Sequence, residues 1–254
     1  MLLRRITEHV KAQNWTAVGL DFVIVVVGVF IGIQVSNWNA ARIEHGQERV
    51  ALERLLSEAE NAVAYLARFI ESREEENQSR EAMIAFLTDP ERHPMDQADA
   101  ANTLATMSYY PPMTPIRTVY DELSASGTLR GIRSQAVRDR MELYIAELNG
   151  HDISLDYFRQ SAGATIYAEL APFMVATYDP ANDQRRTLSV RWEAIRNDER
   201  AAFLTIDALR NQLVFQRFRR SVLENAQTMC DAVERELGDQ CIPELAASRN
   251  REPL

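Results

Sequence analysis

The sequence predicts an all-α protein in which a single N-terminal transmembrane helix continues into an antiparallel helical bundle. Three observations carry this reading. Residues 22–33 form an unbroken apolar run inside a longer apolar stretch, 17–35, interrupted only by Asp21 and Gln34. Glycine and proline are sparse, nine of each in 254 residues, and the stretches between them are rich in Ala, Leu, Glu and Arg, which favour helix. Those stretches repeat their apolar residues at close to the helical period. A hydrophobic content of 46% and a charged content of 26% exclude a disordered chain. The part beyond residue 38 is long enough to bury a core.

In chain order, residues 1–14 place Leu3, Ile6 and Val10 on one stripe and Arg4, Glu8 and Lys11 on the other side. That is the pattern of an amphipathic segment lying on a membrane surface, and a frayed basic segment gives the same composition. Residues 15–38 read as the transmembrane helix. Crossing the hydrocarbon core takes about 20 mostly apolar residues, and Trp15 and Trp38 stand where interfacial aromatic anchors belong. The competing reading is a cleaved signal peptide, whose apolar core is about 7–15 residues. The core length fits, but no A-x-A pattern follows Ile33.

Arg4, Arg5, Lys11 and the terminal amine outnumber Arg42 and Arg49 across the span, which puts the N-terminus inside and the C-terminal domain outside. In a bacterium the span lies in the inner membrane, the N-terminus is cytoplasmic and the domain is periplasmic. Within the span Gly28, Gly32 and Ser36 recur every four residues, and Asp21 falls on nearly the same stripe. Small residues let helices approach closely in lipid, and an intramembrane carboxyl usually faces a partner. These four residues are the candidate association face, toward a second copy or another membrane protein. The alternative is a hydrated Asp21 near the interface with incidental glycines.

Residues 39–242 read as the helical domain and 243–254 as a flexible tail. Residues 39–87 form one long helix or two nearly continuous ones, with Val50, Leu52, Leu55, Leu56, Ala59, Val63, Leu66, Phe69 and Ile70 in register. The polar run 73–81, REEENQSRE, reads as a solvated helix face. Asp89-Pro90 ends the helix. Short helices follow at 97–108 and 118–126, separated by YYPPMTPI, which its prolines keep out of helix. Residues 134–149 are amphipathic, and Asn149-Gly150 reads as a kink or a turn between helices. Helical pattern resumes over 153–178, disturbed near Pro172, and 177–186 is a loop. Asn197 is placed to cap a last long helix over 198–237, with Phe203, Ile206, Leu209, Leu213, Phe215, Phe218, Val222 and Leu223 as its apolar stripe. Gly238 stops it.

Cys230 and Cys241 are the two cysteines, and their spacing matches no zinc or thioredoxin-like motif. A turn at Gly238 brings them within reach of a disulfide, which would persist only in an oxidising compartment. Two unrelated thiols are the alternative.

No catalytic motif is present. The four histidines lie outside metal-ligand spacing, and there is no nucleophile elbow or phosphate loop. His151-Asp152 reads as a surface turn, and Tyr109-Tyr110-Pro111-Pro112 as a loop pinned to the core by its rings. The net charge is −9; Arg4, Arg5 and Lys11 against Glu8 and Asp21 leave +1 on residues 1–38, so the rest carries −10. An acidic domain excludes nucleic acid as a partner. The chain is thus expected to be non-enzymatic and without cofactor or metal, with the membrane and membrane proteins as its partners.

Two stretches, GLDFVIVVVGVFIGIQVSNWN (19–39) and TVYDELSASGTLRGI (118–132), resemble recurring elements of a family of uncharacterised bacterial single-pass membrane proteins, with Gly19 where that family has Ala. The resemblance implies the single-pass topology and no activity. The expected role is an accessory or scaffold component acting through protein contacts; the alternative is a periplasmic sensor domain that binds a small ligand, which a bundle interior with convergent Arg and Tyr groups would favour.

Overall fold

The structure, a computed structural model, describes residues 15–178 and 186–243. The amphipathic segment expected at 1–14, most of the loop expected at 177–186 and the tail beyond residue 243 lie outside the described residues. The chain divides into two compact units, residues 1–51 and 52–254.

The first unit is the leading part of helix α1 (Trp15–Glu71). Its best 18-residue window has a mean hydropathy of 2.2 and none of that window is buried. Large apolar side chains face outward along the whole run, from Leu20 through Phe22, at 69% exposure, to Val35 and Trp38. Residues 15–38 span about 36 Å at 1.5 Å per residue, against a hydrocarbon core of about 30 Å. The helix is long and apolar enough to cross a membrane.

The second unit is a helical bundle. Its long members are the remainder of α1, α2 (Glu74–Thr88), α5 (Gln135–Tyr157) and α8 (Glu199–Leu237). Shorter helices join them: α3 (Gln97–Thr106), α4 (Thr118–Ala125), α6 (Ala164–Leu170) and α7 (Trp192–Asn197). Residues 72–73 separate α1 from α2, and Asp96 caps α3 by accepting from the amides of Ala98 and Asp99. Gly127 and Gly238 adopt φ of 75°, the left-handed conformation that lets a helix stop without steric cost.

The unit holds two large apolar cores. In one, Leu55, Ala59 and Leu66 of α1 meet Val137, Met141 and Leu148 of α5 and Val222, Met229 and Val233 of α8. In the other, Met83, Phe86 and Leu87 of α2 meet Leu104, Leu170, Trp192, Ile195 and Leu209. A small cluster of Tyr110, Leu155 and Phe215 comprises a third. Since Val137 to Leu148 share a core with Val222 to Val233 while Leu155 meets Phe215, α5 runs antiparallel to α8. The same logic makes α2 antiparallel to α8: Glu74 pairs with Arg220, whereas Phe86 shares a core with Leu209.

Several local expectations are corrected. α5 passes straight through Asn149-Gly150, because neither residue is followed by a breaker and the inward stripe Leu148, His151, Leu155 continues in register. The helix expected over 153–178 ends at Tyr157. A π-helical segment (Phe158–Gly163), α6 and a single 3-10 turn (Ala171–Phe173) follow. Pro172 halts the helix there, and MVATY then forms strand β1 (Met174–Tyr178), paired antiparallel with β2 (Arg186–Val190) in the register Met174↔Val190 and Tyr178↔Arg186. β-branched residues in both segments favour the pleated form. Asp198, not Asn197, caps α8, accepting from the Ala201 amide at 2.9 Å. Phe203 and Phe218 of the expected α8 stripe are exposed, as is Val50 of the expected α1 stripe.

Candidate functional site

The association face expected from the sequence lies wholly on α1 of the first unit. Asp21, Gly28, Gly32 and Ser36 are all exposed, and a Cβ built on Gly28 or Gly32 meets nothing within 4 Å. Cys230 and Cys241 are joined by a disulfide with Cα atoms 5.9 Å apart. The turn that brings them together is held by two carboxylates. Glu234 accepts from the Cys241 amide at 3.0 Å, and Glu60 of α1 accepts from the Ile242 amide at 2.9 Å.

The concentrated polar chemistry lies elsewhere, between the two apolar cores of the bundle. Along α8 the buried residues run Ala208, Leu209, then Gln212, Phe215, Gln216, Arg219, then Val222 and Ala226. The middle stretch is a polar layer built on an aromatic stack. Phe215 is fully buried and contacts Tyr110, His151 and Phe158 with centroids at 5.5, 4.9 and 5.5 Å. The Arg219 guanidinium lies over Phe215 at 4.7 Å and over Phe69 at 5.2 Å, geometry that favours a cation on the ring face. Arg219 donates to the Pro111 carbonyl at 3.0 Å and to Gln216 Oε1 at 3.4 Å.

Two more arginines come from the run read as a solvated face, Arg73 at the start of α2 and Arg80 within it. That expectation is corrected: Asn77 and Arg80 are buried, Arg80 at 2% exposure. Glu76 bridges the pair, with Arg73 Nη1 on Oε1 at 2.6 Å and Arg80 Nη2 on Oε2 at 3.0 Å. Arg80 Nη1 also donates to Asn77 Oδ1 at 2.7 Å. Arg73 lies over Phe69, as Arg219 does, and over Tyr109.

Burial and mutual charge act on these groups together. Burial, with the charges of Arg73 and Arg80, pushes the Arg219 guanidinium down to about 10. Burial lowers Arg80 too, against the pull of Glu76. Burial pushes the Tyr110 hydroxyl up to about 12. His151, expected on a surface turn, is buried within α5. Burial holds its imidazole below the usual range despite a 3.2 Å contact with Asp152, and Arg219 adds to that effect.

The layer has more donors than acceptors. Among the described residues, the Nε of Arg73, Arg80 and Arg219, Asn77 Nδ2, Gln216 Nε2 and the Tyr110 hydroxyl are buried with no hydrogen-bond partner. Among the described residues Glu76 is the one carboxylate that pairs within the layer, and it reaches Arg73 and Arg80 but not Arg219. Buried cations without a counter-charge cost several kcal/mol in order of magnitude. A site that concentrates such groups with a single compensating acid has the chemistry of an anion receptor.

The sequence held a signal for it. Arg73, Asn77 and Arg80 are spaced by four and three, in register with the inward-facing Met83 and Leu87, and Gln212, Gln216 and Arg219 repeat that spacing on α8. A cleft beside Phe86, Pro90 and Trp192 has its arginines engaged by the protein: Arg191 bonds the Pro172 carbonyl and Arg196 lies over Phe86. Compared with protein-family models, curated proteins and solved structures, the chain matches none.

Proposed function

We propose that this chain is a bacterial inner-membrane protein, anchored by residues 15–38 with its helical domain in the periplasm, and that it acts without catalysis as an accessory or scaffold component through protein contacts. The observation that carries the anchor is the outward-facing apolar surface of α1 from Leu20 to Val35. Each large side chain there gains on the order of 1.5–3 kcal/mol when removed from water. Continuous helix across residues 34–38 supports retention of the segment over its cleavage as a signal peptide. The disulfide supports an oxidising compartment for the domain. Asp21, Gly28, Gly32 and Ser36 form the face through which the helix associates with a second copy or another membrane protein. The resemblance of residues 19–39 and 118–132 to elements of single-pass bacterial membrane proteins favours the same topology.

A second reading, a sensor domain for a small ligand, is favoured by the gathering of Arg80 and Arg219 about Tyr110, with Arg73 beside them over Tyr109 and Phe69. The two are compatible in one chain.

The topology is tested by a reporter that functions only in the periplasm, fused after Leu254; activity is expected, and a reporter active only in its cytoplasmic form refutes the orientation. Association is tested by crosslinking in membranes. Gly28→Leu with Gly32→Leu is expected to abolish the crosslinked species, and unchanged assembly refutes the face.

A further inference from the structure

The arginine layer has three properties that together identify what it holds. Its cations converge closely. A single carboxylate, Glu76, spans Arg73 and Arg80, and Arg73 and Arg219 share the ring of Phe69. Its charge is unbalanced: three guanidinium groups face one carboxylate. The next acid acting on the cluster, Asp207, reaches Tyr110 only through space and accepts from Asn211 at 3.0 Å. Its free donors point to an absent acceptor, since three Nε groups, an amide on each of α2 and α8 and the Tyr110 hydroxyl are buried without partners among the described residues.

We propose that Arg73, Arg80 and Arg219, with Asn77, Gln216 and Tyr110, form a receptor for a phosphoryl dianion, either inorganic phosphate or a small phosphomonoester. The charge of minus two, together with that of the Glu76 carboxylate at the rim, balances the three guanidinium groups. A tetrahedral anion offers several oxygens to donors that arrive from different helices, and guanidinium groups bind such oxygens in pairs. An extended dicarboxylate fits less well, because its charges stand apart while these cations surround one carboxylate. Glu76 occupies the site when it is empty. Its side chain is 33% exposed and that of Arg73 21%, against 3% for Arg80, so the wet edge lies at Glu76 and the phosphoryl group enters by displacing its carboxylate. This inference deepens the sensor reading and is independent of the membrane anchor.

The test is calorimetric titration of the full-length protein in detergent micelles with inorganic phosphate, ionic strength held constant with sodium chloride. Glycerol phosphate, sulfate and succinate are run in parallel. One-site binding of phosphate or glycerol phosphate is expected, and the stronger of the two tells a free anion from a phosphomonoester. At a hundredfold excess over Kd the melting temperature should rise by about 5–10 °C. Arg73→Gln, at the wet edge where folding is least exposed to the change, should weaken binding at least tenfold. Glu76→Gln removes the competitor and should tighten it. Absence of phosphoryl binding, or binding indifferent to Arg73→Gln, overturns the proposal. Succinate binding that is lost in Arg73→Gln, with no phosphoryl binding, refutes the ligand class while sparing the sensor reading. No binding of any anion refutes both.

Discussion

Glu58 offers the sharpest test of how the bundle is held together. Helix α4 begins at Thr118, and its own N-cap residue, Arg117, supplies no side-chain acceptor. The acceptor comes from α1 instead: Glu58 Oε2 takes the Val119 amide at 2.6 Å and the Thr118 hydroxyl at 3.4 Å, while Oε1 takes the Tyr120 amide at 3.0 Å. A carboxylate at a helix N-terminus satisfies orphan amides and faces the positive end of the helix dipole. Glu58→Ala removes the cap, worth about 0.5–2 kcal/mol, and also the packing of a side chain only 8% exposed. A loss of about 2 kcal/mol is expected, lowering the melting temperature by about 4–8 °C. Glu58→Gln keeps an acceptor oxygen and removes the charge, so its cost at neutral pH should stay below about 1 kcal/mol. The pH dependence separates the contributions. Burial raises the Glu58 pKa, outweighing the backbone hydrogen bonds that lower it. A carboxyl raised in the folded state adds stability below its unfolded pKa and loses that stability as pH rises through the folded value. Glu58→Gln should therefore gain on the parent protein as pH rises from about 4 to 7. The assay is thermal unfolding followed by circular dichroism in detergent across that range. An unchanged melting temperature for Glu58→Ala, or a glutamine variant that falls further behind with rising pH, refutes the reasoning.

Three other outcomes are expected. The Cys230–Cys241 disulfide spans 11 positions, a loop whose closure is worth about 3 kcal/mol; reductant or Cys241→Ser should lower the melting temperature by about 6–12 °C, measured by scanning fluorimetry with and without reductant. Phe215→Ala removes the ring on which Tyr110, His151, Phe158 and Arg219 pack, and denaturant unfolding should show a loss of about 3–5 kcal/mol. Burial raises the pKa of both Tyr110 and Tyr144, that of Tyr110 to about 12; their phenolate absorbance should be missing at about pH 11 and appear on unfolding. By the same linkage these hydroxyls add stability below the ordinary tyrosine pKa and lose it as pH climbs through the folded values.

Much of the fold is legible because it rests on short-range pattern. The membrane run, the stripe through Leu55, Ala59 and Leu66, the stop at Asp89-Pro90 and the left-handed Gly238 each depend on residues close in sequence. The hairpin is less legible because MVATY and RTLSV are short, and helix-forming neighbours surround the first. Asn149-Gly150 misleads for the opposite reason: a strong local turn signal is overruled by α5 packing along α8 on both sides of it. The arginine layer is hidden by composition. In REEENQSRE the exposed Glu75 and Glu81 and the half-buried Glu74 mask the inward spacing of Asn77 and Arg80, and nothing local announces that Arg219, 139 positions beyond Arg80, lies opposite on α8.

That layer also has a structural duty, which bears on how its chemistry divides. The proline segment after Met107 runs extended past α8, and its carbonyls have no helical partners. Gln212 donates to the Met107 and Tyr109 carbonyls at 2.7 and 3.2 Å, Arg159 Nε to that of Tyr110 at 2.9 Å and Arg219 to that of Pro111 at 3.0 Å. One donor side chain per exposed carbonyl suffices for that purpose, and each of these meets it with part of its donor set. Arg73 and Arg80 bond to none of those carbonyls among the described residues; their Nη groups go to Glu76 and Asn77. Holding the proline segment therefore accounts for Gln212, Arg159 and one edge of Arg219. It leaves Arg73, Arg80 and the unpartnered Nε of Arg219 with no part in holding that segment, and two cations in excess of their acid are what a bound dianion would neutralise.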